Sequence, residues 1–125
     1  MERMLKDRTK QFALKIMALV DALPKTTSSA AIGRQIIRSG TSVGANYRAA
    51  CRGRSKAEFI SKLGIVVEEA DETIFWLELI IEGGLLPEGK VSPLLKEADE
   101  LTAIFVSSIK TSQRNQKSKI KNPKS

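Results

Sequence analysis

The sequence predicts an all-α protein, an up-and-down antiparallel four-helix bundle, and two observations carry that prediction. Four segments of roughly 20 residues repeat apolar side chains at three- and four-residue steps, the spacing of one helix face. Short stretches rich in glycine, proline and serine separate these segments. No segment alternates apolar and polar residues as a half-buried strand does, and no Asn-Gly or Asp-Gly pair marks a hairpin. Helices joined by such short loops pack as antiparallel neighbours.

The first helix is predicted over residues 3–23. Its apolar side chains, among them Phe12 and Ile16, recur at helical spacing, so one stripe faces the core. Pro24 cannot continue the helix, because it lacks a backbone N–H and its ring clashes with the preceding turn. Residue 23 is therefore the last position that the pattern supports.

The second helix is predicted over residues 29–52, and glycines interrupt its composition. Gly33, Gly40 and Gly44 fall along one line beside the apolar face when residues are placed about 100° apart. Small residues in a line let a neighbouring backbone approach closely. Because each glycine costs a helix roughly 1 kcal/mol against alanine, the alternative is a break at the Ser-Gly-Thr sequence centred on Gly40. The apolar and cationic faces stay in phase across the glycines, which favours one continuous helix.

The third helix is predicted over residues 56–82 and has more than one apolar face. Ser55 and Glu58 form a capping box at its start. Further apolar side chains lie beside the core stripe with carboxylates between them, and leaving them in water would make an exposed apolar patch. The bundle could cover some of them, but for the set we predict a subunit interface. Its predicted residues are Ile65, Glu69, Glu72, Trp76 and Leu79.

The fourth helix is predicted over residues 93–112. Ser92 is its predicted N-cap, because Pro93 suits the first helical position, whose N–H needs no partner. Residues 1–113 then form one four-helix domain. The segment 114–125 is basic and almost devoid of apolar side chains, so we predict a disordered tail.

Charge is distributed unevenly along the chain, whose 125 residues carry a net charge of +7. Residues 22–57 hold seven cations and no acid. On a helical wheel Arg34 and Arg52 coincide, and Arg38 and Arg48 lie about 40° to either side, opposite the apolar face. Such a surface attracts polyanions or an acidic partner. The predicted nucleic-acid-binding residues are Arg34, Arg38, Arg48, Arg52, Arg54 and Lys56.

The composition argues against an enzyme, a metal site and a cofactor. The chain has no histidine, which excludes histidine-based acid–base, nucleophilic and metal chemistry. Its single cysteine, Cys51, can form no disulfide within the chain, as expected in a reducing cytoplasm. The sequence shows no N-terminal signal pattern and no long apolar run, so we expect a cytoplasmic protein without a membrane partner.

Three stretches resemble a known bacterial family. Residues 34–46, with the sequence RQIIRSGTSVGAN, and residues 54–59, RSKAEF, are similar to the four-helix bundle proteins linked to intervening sequences in large-subunit ribosomal RNA genes. Residues 64–79 match as well, and the resemblance covers about residues 8–110. The family commonly has Asn-Ile-Ala-Glu-Gly in its second helix, whereas Asn46 is followed here by YRAAC. The usual acid is missing, which makes this helix more basic.

The resemblance implies an all-helical bundle assembled as a homopentamer with a basic surface, and it says little about activity. More distantly, the chain is similar to the accessory proteins of diversity-generating retroelements, pentameric bundles that associate with a reverse transcriptase and with nucleic acid. We therefore expect a ring-shaped homo-oligomer that binds RNA or DNA, structured RNA in particular, through phosphates. Two alternatives stay open. The basic face could dock an acidic protein, or the arginines could pair with the third helix of the next subunit in a head-to-tail ring.

Overall fold

Four consecutive α-helices make up the computed structural model, which describes residues 1–121 and side chains through residue 117. The helices are α1 (Glu2–Asp21), α2 (Thr27–Cys51), α3 (Lys56–Glu82) and α4 (Glu88–Lys121). No strand occurs among these described residues, so the predicted all-α class is confirmed. None of the described helices is both long enough and apolar enough to cross a membrane. Residues 122–125 of the predicted tail lie outside the described residues.

Neighbouring helices run antiparallel, as their contacts show. A Cβ atom placed on Gly33 of α2 would contact Val20 of α1, and one placed on Gly44 would contact Thr9. Residue numbers therefore decrease along α1 while they increase along α2, so these two helices are antiparallel. Each helix packs on the next one in the chain, and the contact between α1 and α4 that closes the bundle is the smallest. Arg8 of α1 stands at that closing edge.

The α1–α4 edge is held by a forked ion pair. The Arg8 guanidinium donates from two nitrogens to the two carboxylate oxygens of Glu97, at 2.5 and 2.9 Å. The same group also reaches Glu100 at 3.0 Å. Two parallel hydrogen bonds fix the geometry better than a single charge contact does. The ion pair therefore joins α1 to α4 where the contact between the helices is smallest.

The glycines of α2 do not break it, so the predicted continuous helix is confirmed. Gly40 and Gly44 are buried. A Cβ atom at Gly40 would lie 2.9 Å from Cγ1 of Ile16, closer than real Cβ atoms pack. The two helices therefore approach each other as closely as a glycine allows, as the line of small residues predicts.

Side-chain caps set the starts of α2 and α3. The hydroxyl of Thr26 accepts a hydrogen bond from the N–H of Ser29 at 3.2 Å, so α2 begins two residues before the predicted start. Ser55 accepts from the N–H of Glu58 at 3.1 Å, as the capping box predicts. The Glu58 carboxylate reaches back to the N–H of Arg54 at 3.3 Å, one residue beyond the usual partner.

The fourth helix begins at Glu88, five residues before the predicted start, so Pro93 lies inside the helix. Val91 gives the physical reason, because its side chain is fully buried and an extra helical turn carries it into the core. Pro93 removes one hydrogen bond, to the carbonyl of Gly89, from the second turn. Ser92 and Pro93 thus resemble a helix start, but the burial of Val91 places the start of α4 at Glu88.

The fourth helix also extends further than predicted at its other end. It continues to Lys121, nine residues beyond the predicted end at residue 112, so residues 114–121, predicted as a disordered tail, are helical. Adding a residue to an existing helix is far easier than starting one. Arg114 and Lys117 of this segment are good helix formers.

The core lies where the apolar stripes of the four helices meet. Tyr47 of α2 and Phe105 of α4 pack across it with ring centroids 5.2 Å apart. A hydrogen bond of 2.9 Å between the hydroxyls of Thr73 and Ser39 joins α3 to α2 inside the bundle. The largest fully buried side chains include Leu5, Phe12, Ile16, Ile36, Val43, Leu63, Val66, Leu77, Ile80, Val91, Leu101 and Phe105.

Candidate nucleic-acid interface

The arginines of α2 lie on its solvent side, opposite the buried stripe. Arg34, Arg48 and Arg52 are exposed, whereas Ile36 and Val43 are fully buried. Because α2 is one uninterrupted rod, the guanidinium groups share one face, as the helical spacing predicts. Within the described part of the chain, none of these three arginines makes an ion pair.

Arg38 differs from the other arginines because α3 neutralises it. Its guanidinium lies 3.0 Å from the carboxylate of Glu69 and also pairs with Glu72. On the helical wheel Arg38 is about 40° from Arg34 on the side that faces α3, which explains why it pairs with carboxylates of α3. A phosphate at Arg38 must compete with two carboxylates, so we set Arg38 apart from the other predicted binding residues.

The cationic surface continues from the end of α2 into the start of α3. Arg54 lies in the connection and Lys56 is the first residue of α3, and both are exposed. A helix dipole disfavours a cation at this first position, so Lys56 does not serve the stability of α3. Arg48 and Arg52 lie at the opposite, favourable end of a dipole. We call Arg48, Arg52, Arg54 and Lys56 together the basic end.

The first helix contributes two cations that the sequence analysis did not single out. Lys6 and Lys10 line a groove between α1 and α2 together with Arg48. Lys6 also pairs with Glu2 at 3.2 Å. The available signal was the four-residue spacing of the lysines, combined with an antiparallel pairing that places the start of α1 beside the end of α2.

The outer side of α3 carries an exposed apolar surface. Ile65 is 40% exposed and Phe75 is 50% exposed, while Trp76 and Leu79 of the predicted interface are half-buried. The rings of Phe75 and Trp76 meet edge to face, with centroids 5.0 Å apart. The indole Nε1 of Trp76 is buried and finds no hydrogen-bond partner among the described residues. We call Ile65, Phe75, Trp76 and Leu79 the outer α3 patch.

The two carboxylates predicted for the subunit interface are already occupied. Glu69 and Glu72 both hold Arg38 of the same chain. The sequence hypothesis instead paired these acids with arginines of a neighbouring subunit. Part of the charge complementarity between α2 and α3 is therefore satisfied within one copy.

The nucleophile-type side chains nearest the basic end are held in their neutral forms. Burial raises the pKa of the Cys51 thiol. Burial also raises the pKa of the Tyr47 hydroxyl well above its usual range, and the neighbouring Cys51 raises it further. A protonated thiol is a poor nucleophile. Among the residues that the structure describes, no three acidic or cysteine side chains are grouped to hold a metal ion.

The chain is similar to known proteins in both sequence and fold. The sequence model of a family described as 23S rRNA-intervening sequence protein matches residues 3–107. A crystal structure of a protein with unknown function from the S23 ribosomal protein family of Bacteroides thetaiotaomicron superposes with a TM-score of 0.80. It is 37% identical in sequence, and the match covers 85% of this chain and 98% of that one. No curated protein matches the chain.

Proposed function

This chain belongs to the 23S rRNA-intervening sequence protein family, and we propose that it is a non-enzymatic bundle that binds nucleic acid, structured RNA in particular. One observation carries the proposal. The four cations of the basic end are exposed and make no ion pair with a described residue. Clustered free cations raise the local concentration of polyanions and neutralise phosphates on contact. The family description favours RNA as that polyanion.

The basic end contacts phosphates and does not read bases. Arginine and lysine side chains pair with phosphate oxygens, which position a protein without sequence information. Tyr47, which precedes Arg48 in the chain, is only 5% exposed and packs on Phe105. It is therefore unable to stack on a base. Binding should accordingly be strongly salt-dependent and weakly selective for sequence.

We also propose that the protein associates with further copies of itself through the outer α3 patch. Ile65 and Phe75, the exposed members of the patch, gain burial there. The family resemblance implies five copies in a ring. A ring repeats the basic end in each copy, and several weak phosphate contacts then act together as one tight contact.

Neutralising two arginines of the basic end tests the RNA proposal. In the variant Arg48→Gln with Arg52→Gln, each new side chain is still a good helix former. We expect the affinity for a labelled, folded fragment of 23S rRNA to fall about tenfold at moderate salt, since two phosphate contacts are lost. Fluorescence anisotropy with increasing protein gives the dissociation constant.

The matched control is Lys90→Gln with Lys96→Gln, which removes the same charge from α4. These lysines are exposed and lie near the start of α4, beside the C-terminal end of α3. The basic end lies at the other end of α3, a helix of 27 residues. We expect the dissociation constant of this control variant for the 23S rRNA fragment to stay within about twofold of that of the unmodified chain. Equal losses in both variants would mean that net charge alone governs binding, and no loss at Arg48 and Arg52 contradicts the proposal.

Competition with polyglutamate separates RNA binding from docking of an acidic protein. An RNA backbone releases condensed counterions when cations bind it, which favours RNA over a flexible acidic chain of the same charge. We expect polyglutamate at equal charge concentration to leave most of the labelled RNA bound. Complete displacement would instead support the acidic-protein alternative.

A further inference from the structure

We propose that the groove between α1 and α2 holds a backbone phosphate of the bound nucleic acid, coordinated by Lys6, Lys10 and Arg48. The inference rests on the proposed function and deepens it, because two of the three side chains belong to α1 and lie outside the basic end. All three line the same groove. The interface then includes two helices and not α2 alone.

The groove owes its shape to small residues. Ala13, Gly44 and Ala45 line it. A Cβ atom at Gly44 would lie 3.1 Å from the hydroxyl of Thr9, so the absence of a side chain there brings the two helices together. The groove has a volume of about 190 Å³, which is enough for a phosphate group.

The electrostatics of the groove favour an anion. None of the described residues that line it is acidic. Lys6 and Lys10 are one helical turn apart on α1, a spacing at which like charges repel, and Arg48 faces them from α2. Glu2 offsets Lys6 in part, at 3.2 Å. Lys10 and Arg48 have no ion-pair partner in the described chain, so an anion between them relieves the repulsion.

The hydroxyl groups that line the groove do not compete with the lysines for this anion. The hydroxyl of Thr9 donates to the carbonyl of Leu5 at 2.8 Å, and that of Thr41 donates to the carbonyl of Ile37 at 2.6 Å. Their protons are therefore used inside the helices. The cations alone supply donors, which suits a phosphate.

The groove is continuous with the basic end, which points to a polymer and not to a free anion. Arg48 belongs to both, and Arg52 lies one helical turn further along α2. Arg3 of α1 lines the adjoining depression with Lys6, Lys10 and Arg48, and these four cations outnumber the two acids there, Glu2 and Asp7. A nucleic-acid strand that crosses the basic end can therefore place its next phosphates in the groove.

A carboxylate placed in the groove tests the inference. Ala45 is exposed and lines the groove, so Ala45→Glu sets a negative charge beside Lys10 and Arg48. Ala103→Glu makes the same change at an exposed position of α4. We expect Ala45→Glu to weaken binding of the folded 23S rRNA fragment about tenfold, and Ala103→Glu to weaken it less than about twofold.

A second variant keeps the test independent of any effect on folding at Ala45. Lys10→Gln removes one exposed charge, and Lys96→Gln is its control on α4. The slope of log affinity against log salt should become shallower by about one for Lys10→Gln and stay unchanged for Lys96→Gln. Unchanged affinity and slope in both Ala45→Glu and Lys10→Gln would overturn the inference.

Two further outcomes have distinct meanings. If Arg48→Gln with Arg52→Gln weakens binding while the groove variants do not, the inference fails and the proposed function stands. If the unmodified chain binds no RNA, both fail.

Sodium phosphate and sodium chloride of equal ionic strength should displace RNA equally, and excess displacement by phosphate would assign the groove to a free anion instead.

Discussion

Gly40→Leu is expected to lower the free energy of unfolding by about 3 kcal/mol or more, because the new side chain has no space between α1 and α2. Its Cβ atom alone would lie 2.9 Å from Cγ1 and 3.0 Å from Cγ2 of Ile16. Ile16 is fully buried and branched at Cβ, so it cannot rotate away freely. The helices must move apart, and the rest of their contact weakens with them.

The control is another helical glycine in an open environment. A Cβ atom at Gly64 of α3 would meet nothing within 4 Å. Gly64→Ala should therefore raise the free energy of unfolding by up to about 1 kcal/mol through helix propensity alone. Urea unfolding followed by circular dichroism measures both variants. Wild-type stability in Gly40→Leu would show that α1 does not pack on the glycine line, and the proposed phosphate groove would lose its geometric basis.

Ile65→Lys with Phe75→Lys is expected to abolish self-association. The two side chains are the most exposed members of the outer α3 patch, at 40% and 50%. Two ammonium groups at the centre of an apolar contact must lose their water when copies meet, which costs several kcal/mol. Light scattering should give a multiple of the 13.7 kDa chain mass for the unmodified protein and a single chain for the variant.

Leu14→Lys with Met17→Lys provides the matched control for self-association. These side chains are also exposed and apolar, at 50% and 44%, but they lie on α1. We expect this variant to keep the mass of the unmodified protein. A single chain already in the unmodified protein contradicts the self-association proposal. Dissociation of the α1 variant alone would move the contact from α3 to α1.

The helices were predictable because local signals set most of their ends. The hydroxyl of Ser55 caps α3 where the sequence places a capping box, and α2 continues through Gly40 because its apolar stripe keeps its phase. The start of α4 was not predictable from local signals. Ser92 and Pro93 imitate a helix start, and only the burial of Val91 in the assembled core extends the helix backward to Glu88.

The candidate site was predictable along one helix and not between helices. The period of α2 places Arg34, Arg48 and Arg52 on one exposed face without any knowledge of neighbours. The capture of Arg38 by Glu69 depends on how α3 is placed against α2, which no spacing within α2 contains. For the same reason, the position of Lys6 and Lys10 of α1 beside Arg48 was not predictable.

The central claim is that exposed cations at the end of α2 hold the phosphates of a structured RNA. The most direct measurement is the affinity of the unmodified chain for the folded 23S rRNA fragment between about 50 and 200 mM salt. The account predicts a straight line of log affinity against log salt with a slope of about −2 or steeper, since at least three phosphate contacts each contribute roughly −0.7 to −0.9. A slope near zero, or no binding at the lowest salt, would contradict it.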